Sequence, residues 1–251
     1  MTHPEFRDRV CLVTGGSSGI GAACVRMLAA CGAKVVFCGL DDAAGDAVAA
    51  ATGGAAVYRH ADVRRESDMT ALVADCVARF GRLDGAVNAA GVSHHAAKAA
   101  AIPASDWDDV MAVNAGGVFR AMQAEIPALL DSGGGAIVNI ASILGEGGAP
   151  WMAAYGASKH AVIGLTLSAA RDYAAAGLRI NCVAPGPVAT PMLDRALADI
   201  GDDVAKYAGG FPPAGPGRPD DVANAVLFLL GESAQYVNGA VLRVDGATAA
   251  G

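Results

Sequence analysis

Short runs rich in branched apolar residues alternate along the chain with longer segments whose apolar residues recur at helical spacing. Residues 10–14, 35–38, 55–59, 85–88, 136–140, 179–183 and 241–244 predict seven strands. Most are continuously apolar rather than alternating, the mark of strands covered on both faces, as in a parallel sheet. Between them, Ile20, Ala23, Cys24, Met27 and Leu28 follow the i, i+3, i+4, i+7, i+8 rule of a helix face. A second helix is predicted over 67–80, ended by Gly81. A third is predicted to be capped by Ser105, with Asp106, Asp108 and Asp109 in its first turn. A fourth covers 153–176 and stops at Gly177; a fifth covers 219–230 and opens with Pro219, Asp220 and Asp221. The alternation predicts one doubly wound α/β domain over residues 1–251. Residues 190–217 break the rhythm with four prolines and five glycines and read as a mobile or substrate-covering loop.

Composition narrows the function. With 53% apolar residues the chain is not disordered. A mean hydropathy of +0.38 raises the membrane question. No apolar stretch reaches the ~18 residues of a spanning helix; the nearest, 222–231, fits a buried helix. Residues 1–9 carry mixed charge and do not read as a signal peptide. A net charge of −7 without a basic stripe argues against a nucleic-acid partner. The six cysteines form no CxxC pair or Cys/His cluster. They read as small core residues in a reducing, cytoplasmic compartment, with no metal implied.

The first predicted strand leads into Thr14-Gly15-Gly16-Ser17-Ser18-Gly19-Ile20-Gly21 and then a helix. Glycines at 15, 19 and 21 let a pyrophosphate approach the backbone, and the helix N-terminus offers free N–H groups. In a chain with 33 glycines such a triplet arises by chance about half a time; the strand-loop-helix setting is what gives it weight. Asp62-Val63, Asn88-Ala89-Ala90-Gly91 and Pro185-Gly186 follow the third, fourth and sixth strands, so all lie on the ligand-binding edge of such a sheet.

Tyr155 and Lys159 stand four apart on a predicted helix and share a face. A phenol is a poor base at neutral pH, and a neighbouring ammonium favours its ionised form. Such a tyrosine can exchange a proton with an alcohol or carbonyl oxygen. Ser142 lies at the end of the fifth strand, where it reads either as a cap or as a donor to the same oxygen. Asn114 falls mid-helix, a poor place for Asn unless its amide is used; the alternative is a solvent-facing side chain.

With these residues in view the sequence resembles the short-chain dehydrogenase/reductase family over essentially its whole length. The resemblance rests on TGGSSGIG at 14–21, DV at 62–63, NAAG at 88–91, Asn114, Ser142, YGASK at 155–159, RINCVAPG at 179–186 and VDG at 244–246. It implies a Rossmann fold, a seven-stranded parallel sheet flanked by helices, and an Asn114–Ser142–Tyr155–Lys159 tetrad. Tyr155 would be the acid/base, and Lys159 would lower its pKa and hold the nicotinamide ribose. Ser142 would polarise the substrate oxygen, and Asn114 would hold a water leading from Lys159 to solvent. Gly15, Ser17, Ser18, Gly19, Ile20, Gly21, Val63, Gly91, Pro185 and Gly186 would line the cofactor. Asp62 would contact adenine, Asn88 would sit near its ribose, and Val188 and Thr190 would hold the carboxamide. Ala89 departs from the second Asn usual in the family.

The family's NAD-preferring members usually carry Asp where Gly39 stands, and NADP-preferring ones Arg where Leu40 stands or a basic residue at Ser17 or Ser18. Neither pattern is present. Asp41 lies 20 residues after Gly21, near the distance of a ribose-binding acid, and with Asp42 and Asp46 would repel a 2′-phosphate. NAD is favoured over NADP. Val92, Ser93, His94, His95, Ile143, Leu144, Glu146, Trp151, Met192 and Tyr207 are expected around a mostly apolar pocket for a hydrophobic alcohol or ketone. His94 and His95 read as loop residues rather than a second acid/base. An NADPH-dependent reductase of carrier-bound 3-oxoacyl groups and a non-catalytic dinucleotide sensor are the rival readings. Apolar residues on more than one helix face, among them Val113, Val118, Phe119, Met122, Ile163, Leu165 and Leu167, predict a homotetramer or at least a dimer.

Overall fold

The computed structural model describes residues 6–200, 212 and 215–250. Tyr207 and most of the segment from 201 to 214 lie outside the described residues. The strands are β1 (Val10–Thr14), β2 (Lys34–Gly39), β3 (Ala56–His60), β4 (Gly85–Asn88), β5 (Gly135–Ile140), β6 (Leu178–Pro185) and β7 (Val241–Val244). They form one seven-stranded sheet in the order β3-β2-β1-β4-β5-β6-β7, and every pairing is parallel. The chain starts in the middle, winds outward to β3, and returns to lay β4 beside β1. The loops leaving β1 and β4 therefore diverge from a shared seam, where such sheets hold ligands.

Both faces of the sheet are covered. Cys11, Val13, Val35 and Phe37 point into a layer with α1 (Gly19–Ala30) and a helix at Pro219–Leu230. Val10, Leu12, Val36 and Cys38 point into the opposite layer, with α3 (Glu66–Phe80), α5 (Gly116–Asp131) and α6 (Ala153–Tyr173). Period-two alternation between two buried layers is why the strand sequences show no polar face. Five of the cysteines are buried and all six are free thiols, as a small-hydrophobe role requires.

Three local expectations need correction. The segment at 42–50 forms α2 (Asp42–Ala50), a helix that periodicity did not reveal because Val48 is its sole large apolar residue. Asp41 caps it, accepting a hydrogen bond from the Ala44 amide at 3.0 Å. Ser105 is not a cap: α4 (Ala104–Val110) begins one residue earlier, after Pro103, whose fixed φ and missing N–H suit a helix entrance. The breaker-rich segment is irregular only in part, because Pro191–Ile200 forms α7. Its proline occupies the first turn, where no N–H is needed. The helix at Pro219–Leu230 is α8. Val118 and Met122, expected at a subunit contact, are 4% and 5% exposed within the chain and belong to its own core.

Beneath the sheet edge runs a buried polar chain. Register sets Thr14, Asn88, Asn139 and Cys182 side by side across β1, β4, β5 and β6. The Asn88 amide donates to Asn139 Oδ1 and to Glu125 Oε2, each at 3.0 Å. Asn139 donates to Thr166 Oγ1 at 3.0 Å. Glu125 is 1% exposed, and its Oε1 has no partner among the described residues. Burial pushes its carboxyl up from 4.5 to about 7, against a smaller lowering from the Asn88 hydrogen bond.

The folded chain thus holds this proton more tightly than the unfolded one. The associated stability is fully present below pH 4.5 and is lost as the pH rises towards 7, an effect of about 3 kcal/mol at most. Glu125→Gln keeps the acceptor for Asn88 and should melt at higher temperature than the parent at pH 8, with little difference near pH 4.5. Calorimetric melts across that range test this; parallel pH profiles would show that Glu125 does not carry the effect.

Candidate active site

The turn from β1 into α1 approaches other backbone too closely for side chains. Gly15 has φ +66°, and a Cβ there would sit 2.6 Å from Ala90 Cα. A Cβ at Gly21 would run into the Gly15 carbonyl oxygen. The turn is stitched to its neighbours by Gly16 N–H to Cys38 O at 2.8 Å and Ala89 N–H to Thr14 O at 3.2 Å. Ser18 precedes α1 without capping it through its side chain, and the first turn holds no acid. The first N–H groups are therefore uncapped by protein and unopposed by negative charge, an anion cradle of the kind a phosphate fills. Thr190 borders it: its Cγ2 would lie 3.3 Å from a Cβ at Gly19. Val188, just before, pairs with Gly217 in an isolated bridge and is 6% exposed. Gly186 lies against Asp245, with no room for a Cβ.

On the far side of the cradle, a Cβ at Gly39 would stand 2.5 Å from Ser17 Oγ. Leu40 is 56% exposed beside Gly39. Asp42 faces away, accepting from the Tyr58 hydroxyl and meeting His60 Nδ1, both at 2.8 Å. Those contacts hold its carboxyl below the usual range. Asp62 is 7% exposed and is gripped by Arg64, whose Nε and Nη2 donate to it at 3.0 and 2.8 Å. This guanidinium holds the carboxyl low. The sequence reading missed Arg64, although its position two residues after Asp62 was visible. Val63 packs under Gly117, where a Cβ would come within 2.7 Å of it. Asn88 spends both amide hydrogens in the buried polar chain.

Lys159 and Tyr155 stand where β4, β5, the turn before α5 and α6 meet. Lys159 is 4% exposed and donates from Nζ to the Ile140 carbonyl at 2.8 Å. The same Nζ lies 5.5 Å from the centre of the Tyr155 ring. Burial pushes its pKa down from 10.5 to about 8, so it is charged at neutral pH and discharges readily above it. Ser142, two residues beyond Ile140, is 7% exposed and accepts from the Leu144 amide at 3.1 Å. It is thus the cap of a short 3-10 turn, Ile143–Gly145; the cap uses its lone pair and leaves its hydroxyl hydrogen for another acceptor.

Asn114 is fully buried, which overturns the solvent-facing alternative. It lies not in an α-helix but in a π turn, Met111–Ala115, between α4 and α5. Its Oδ1 accepts from Val92 N–H at 2.8 Å, and its Nδ2 donates to Val92 O at 2.9 Å and Ser158 Oγ at 3.0 Å. Ser158 in turn donates to the Tyr155 carbonyl at 2.7 Å. A Cβ at Gly91 would lie 3.4 Å from Asn114 Oδ1 and 3.7 Å from Lys159 Nζ, so both polar groups converge on that glycine. The loop that follows forms one wall. Ala97 N–H donates to Trp151 O at 3.3 Å, and His95 Nδ1 meets Asp199 of α7 at 2.9 Å. Glu146 is paired with Arg243 at 2.8 Å.

An anion cradle and a tyrosine–ammonium pair on one edge of a parallel sheet supply what hydride exchange with a dinucleotide demands, and that function defines the class: the nicotinamide-dependent oxidoreductases. Comparisons with known proteins agree. A family model described as Enoyl-(Acyl carrier protein) reductase matches residues 15–248. The chain is 41% identical over 244 residues to a 2,5-dichloro-2,5-cyclohexadiene-1,4-diol dehydrogenase of Sphingobium indicum, covering 96% of this chain and 97% of that one. It is 39% identical over 246 residues to a cyclohexanol dehydrogenase of an Acinetobacter species, covering 97% and 96%. The crystal structure of levodione reductase superposes with a TM-score of 0.93 at 35% identity, over 98% of this chain and 99% of that one. The chain belongs to the short-chain dehydrogenase/reductase family. It is an NAD(P)-dependent oxidoreductase acting on CH–OH groups.

Proposed function

We propose that the protein interconverts a small cyclic secondary alcohol and its ketone, with Tyr155, Lys159, Ser142 and Asn114 as its working residues. The observation that carries this reading is the placement of the buried Lys159 ammonium beside the Tyr155 ring and on the carbonyl of Ile140, two residues before Ser142. Tyr155 exchanges a proton with the substrate oxygen. Lys159 favours the phenolate, and the uncommitted Ser142 hydrogen is donated to that oxygen. Asn114 fixes the Gly91–Val92 turn against Lys159. The nicotinamide, when bound, supplies or accepts the hydride. The glycine cradle from Gly15 to Gly21 takes its pyrophosphate, and Asp62, Val63, Asn88 and Gly91 border its adenosine and ribose ends. Pro185, Gly186, Val188 and Thr190 border the nicotinamide. Relatives named for cyclohexanol and for a cyclohexadienediol support the ring-alcohol class. An acidic carrier protein would meet a chain of like sign, net −7, which disfavours carrier-bound acyl groups. Free thiols fit a cytoplasmic setting in this reading.

Tyr155→Phe should lower kcat at least about 100-fold on a turned-over ring alcohol while dinucleotide binding persists. A variant keeping more than about a tenth of parental kcat would remove Tyr155 from the acid/base role.

NAD is the favoured cofactor. Asp41 stands at the mouth of the adenosine end, and its charge repels a 2′-phosphate. Leu40→Arg with Asp41→Ser keeps a helix-capping residue on α2 while adding a bidentate phosphate donor. The double variant should shift kcat/KM from NADH towards NADPH by about tenfold or more. A parent that already prefers NADPH tenfold would defeat the electrostatic argument.

We also propose a homotetramer. Trp107 of α4, Phe119 of α5 and Leu167 of α6 are 44%, 51% and 42% exposed, and Phe228 of α8 is 43% exposed. Two separate apolar faces on one chain call for two kinds of subunit contact. Light scattering at micromolar concentration should return about four chain masses; a monomer mass would refute it.

A further inference from the structure

Among the described residues three buried side-chain polar atoms lack a hydrogen-bond partner: His94 Nε2, Arg120 Nη1 and Glu125 Oε1. The His94 ring meets the carbonyl of its neighbour His95 through Nδ1. Arg120 projects from α5, where its Nη1 would lie 2.6 Å from a Cβ at Gly116. Glu125 differs from both, because its other oxygen is joined by hydrogen bonds to the seam between β1 and β4. Glu125 Oε2 accepts from Asn88 Nδ2 at 3.0 Å, and Asn88 is the last residue of β4. Two residues further on, Ala90 crowds Gly15.

The hydrogen bonds around Asn88 each have a fixed direction. At the far end Thr166 Oγ1 donates to the Val162 carbonyl at 2.8 Å, so towards Asn139 it accepts, at 3.0 Å. Asn139 thereby turns its Oδ1 to Asn88 and takes one amide hydrogen. Glu125 Oε2 takes the other. With both hydrogens placed, Asn88 presents only Oδ1 to Thr14, whose hydroxyl donates to it at 3.5 Å. The Thr14 oxygen is then left to receive the Ala90 amide at 3.4 Å. Ala90 is the residue against which Gly15 has no room for a Cβ. One path therefore runs from Glu125 through Asn88 and Thr14 to the backbone contact beside the anion cradle. Oε2 accepts whether Glu125 is ionised or carries a proton on the partnerless Oε1.

We propose that Glu125 is a positioning residue for the dinucleotide: by taking one hydrogen of Asn88 it fixes the direction of that amide, and through Thr14 it holds the β1–β4 seam at the spacing the cradle needs. The proposal rests on the reading of the glycine turn as the pyrophosphate site. Without the acceptor at 125, Asn88 keeps an unpaired buried hydrogen, and turning the amide over sets its oxygen against Asn139 Oδ1. Either way the amide is no longer held in one orientation, and the seam must be ordered afresh when a dinucleotide binds. That cost falls on cofactor affinity. The bonds that place Lys159 and Ser158 beside Tyr155 lie outside this path, so turnover at saturating dinucleotide is kept.

The test measures the Kd of NADH, or of NADPH where that binds tighter, for the parent, Glu125→Gln, Glu125→Met and Thr14→Val. Gln keeps the acceptor and should bind within about twofold of the parent. Met fills similar space without an acceptor and should bind about tenfold more weakly, with kcat at saturating dinucleotide and KM for the alcohol unchanged. A role in packing alone would reduce the folded fraction and leave the Kd of the remainder where it was. Thr14→Val should weaken binding in the same way, and combined with Glu125→Met it should cost no more than either change alone, since both cut one path. A Met variant within about twofold of the parent overturns the proposal, as does a Gln variant as weak as Met. Where the Met variant fails to fold, a parental Kd in Thr14→Val overturns it. Additive losses in the double variant also overturn it. A parent that binds neither dinucleotide overturns the pyrophosphate reading and the positioning role with it.

Discussion

The site depends on one close approach of backbone to backbone, at the seam between β1 and β4. Gly15 and Ala90 come so near that a methyl group at 15 has no place. Because β1 and β4 leave the sheet together before their loops part, the cradle for an anion and the turn at Gly91 are built side by side. That turn then receives Asn114 from one helix and Lys159 from another. Widening the seam by the size of one methyl group would separate the two halves of the chemistry, even with every polar residue in place.

Several residues of the candidate site hold the fold with one atom of the side chain and keep another for the proposed chemistry. Ser142 gives a lone pair to the Leu144 amide and keeps its hydrogen. Asp41 gives one oxygen to the Ala44 amide and keeps its charge at the cleft mouth. Lys159 gives one of its hydrogens to Ile140 O and keeps its ability to ionise. Each tie fixes the side chain in advance, so little orientational freedom is lost when a ligand arrives. The burial that positions Lys159 also weakens its hold on its proton.

What the sequence made legible follows from how strongly each feature constrains neighbouring positions. Buried strands need unbroken apolar runs, so all seven were found, with ends shifted by two residues at most. The glycine turn and the Tyr155/Lys159 spacing were visible because their chemistry needs fixed offsets. α2 was not visible, because a helix of alanines lying half out of the core needs no apolar period. α7 was hidden by a proline that begins it rather than breaks it. The grip of Arg64 on Asp62 and the orphaned nitrogen of His94 depend on side-chain direction, which spacing does not encode. Glu125 is a further case: on a helix, one glutamate among apolar neighbours gives no sign of whether it faces water or, as here, the underside of Asn88.

The π turn at Met111–Ala115 has a consequence for the whole of the helical path from α4 to α5. Val110, Asn114, Val118, Met122 and Ile126 recur at every fourth residue, and all are buried. In a straight α-helix a four-residue repeat drifts around the axis by about 40° at each step, so such a row would turn from the core towards solvent. A π turn rotates less per residue than an α turn, and placed inside the row it takes back part of the drift. The widened turn therefore acts as a phase correction, keeping one stripe aimed at the sheet over more helix than its repeat would otherwise allow. The same correction sets Asn114 at the depth where the Gly91 turn can receive it.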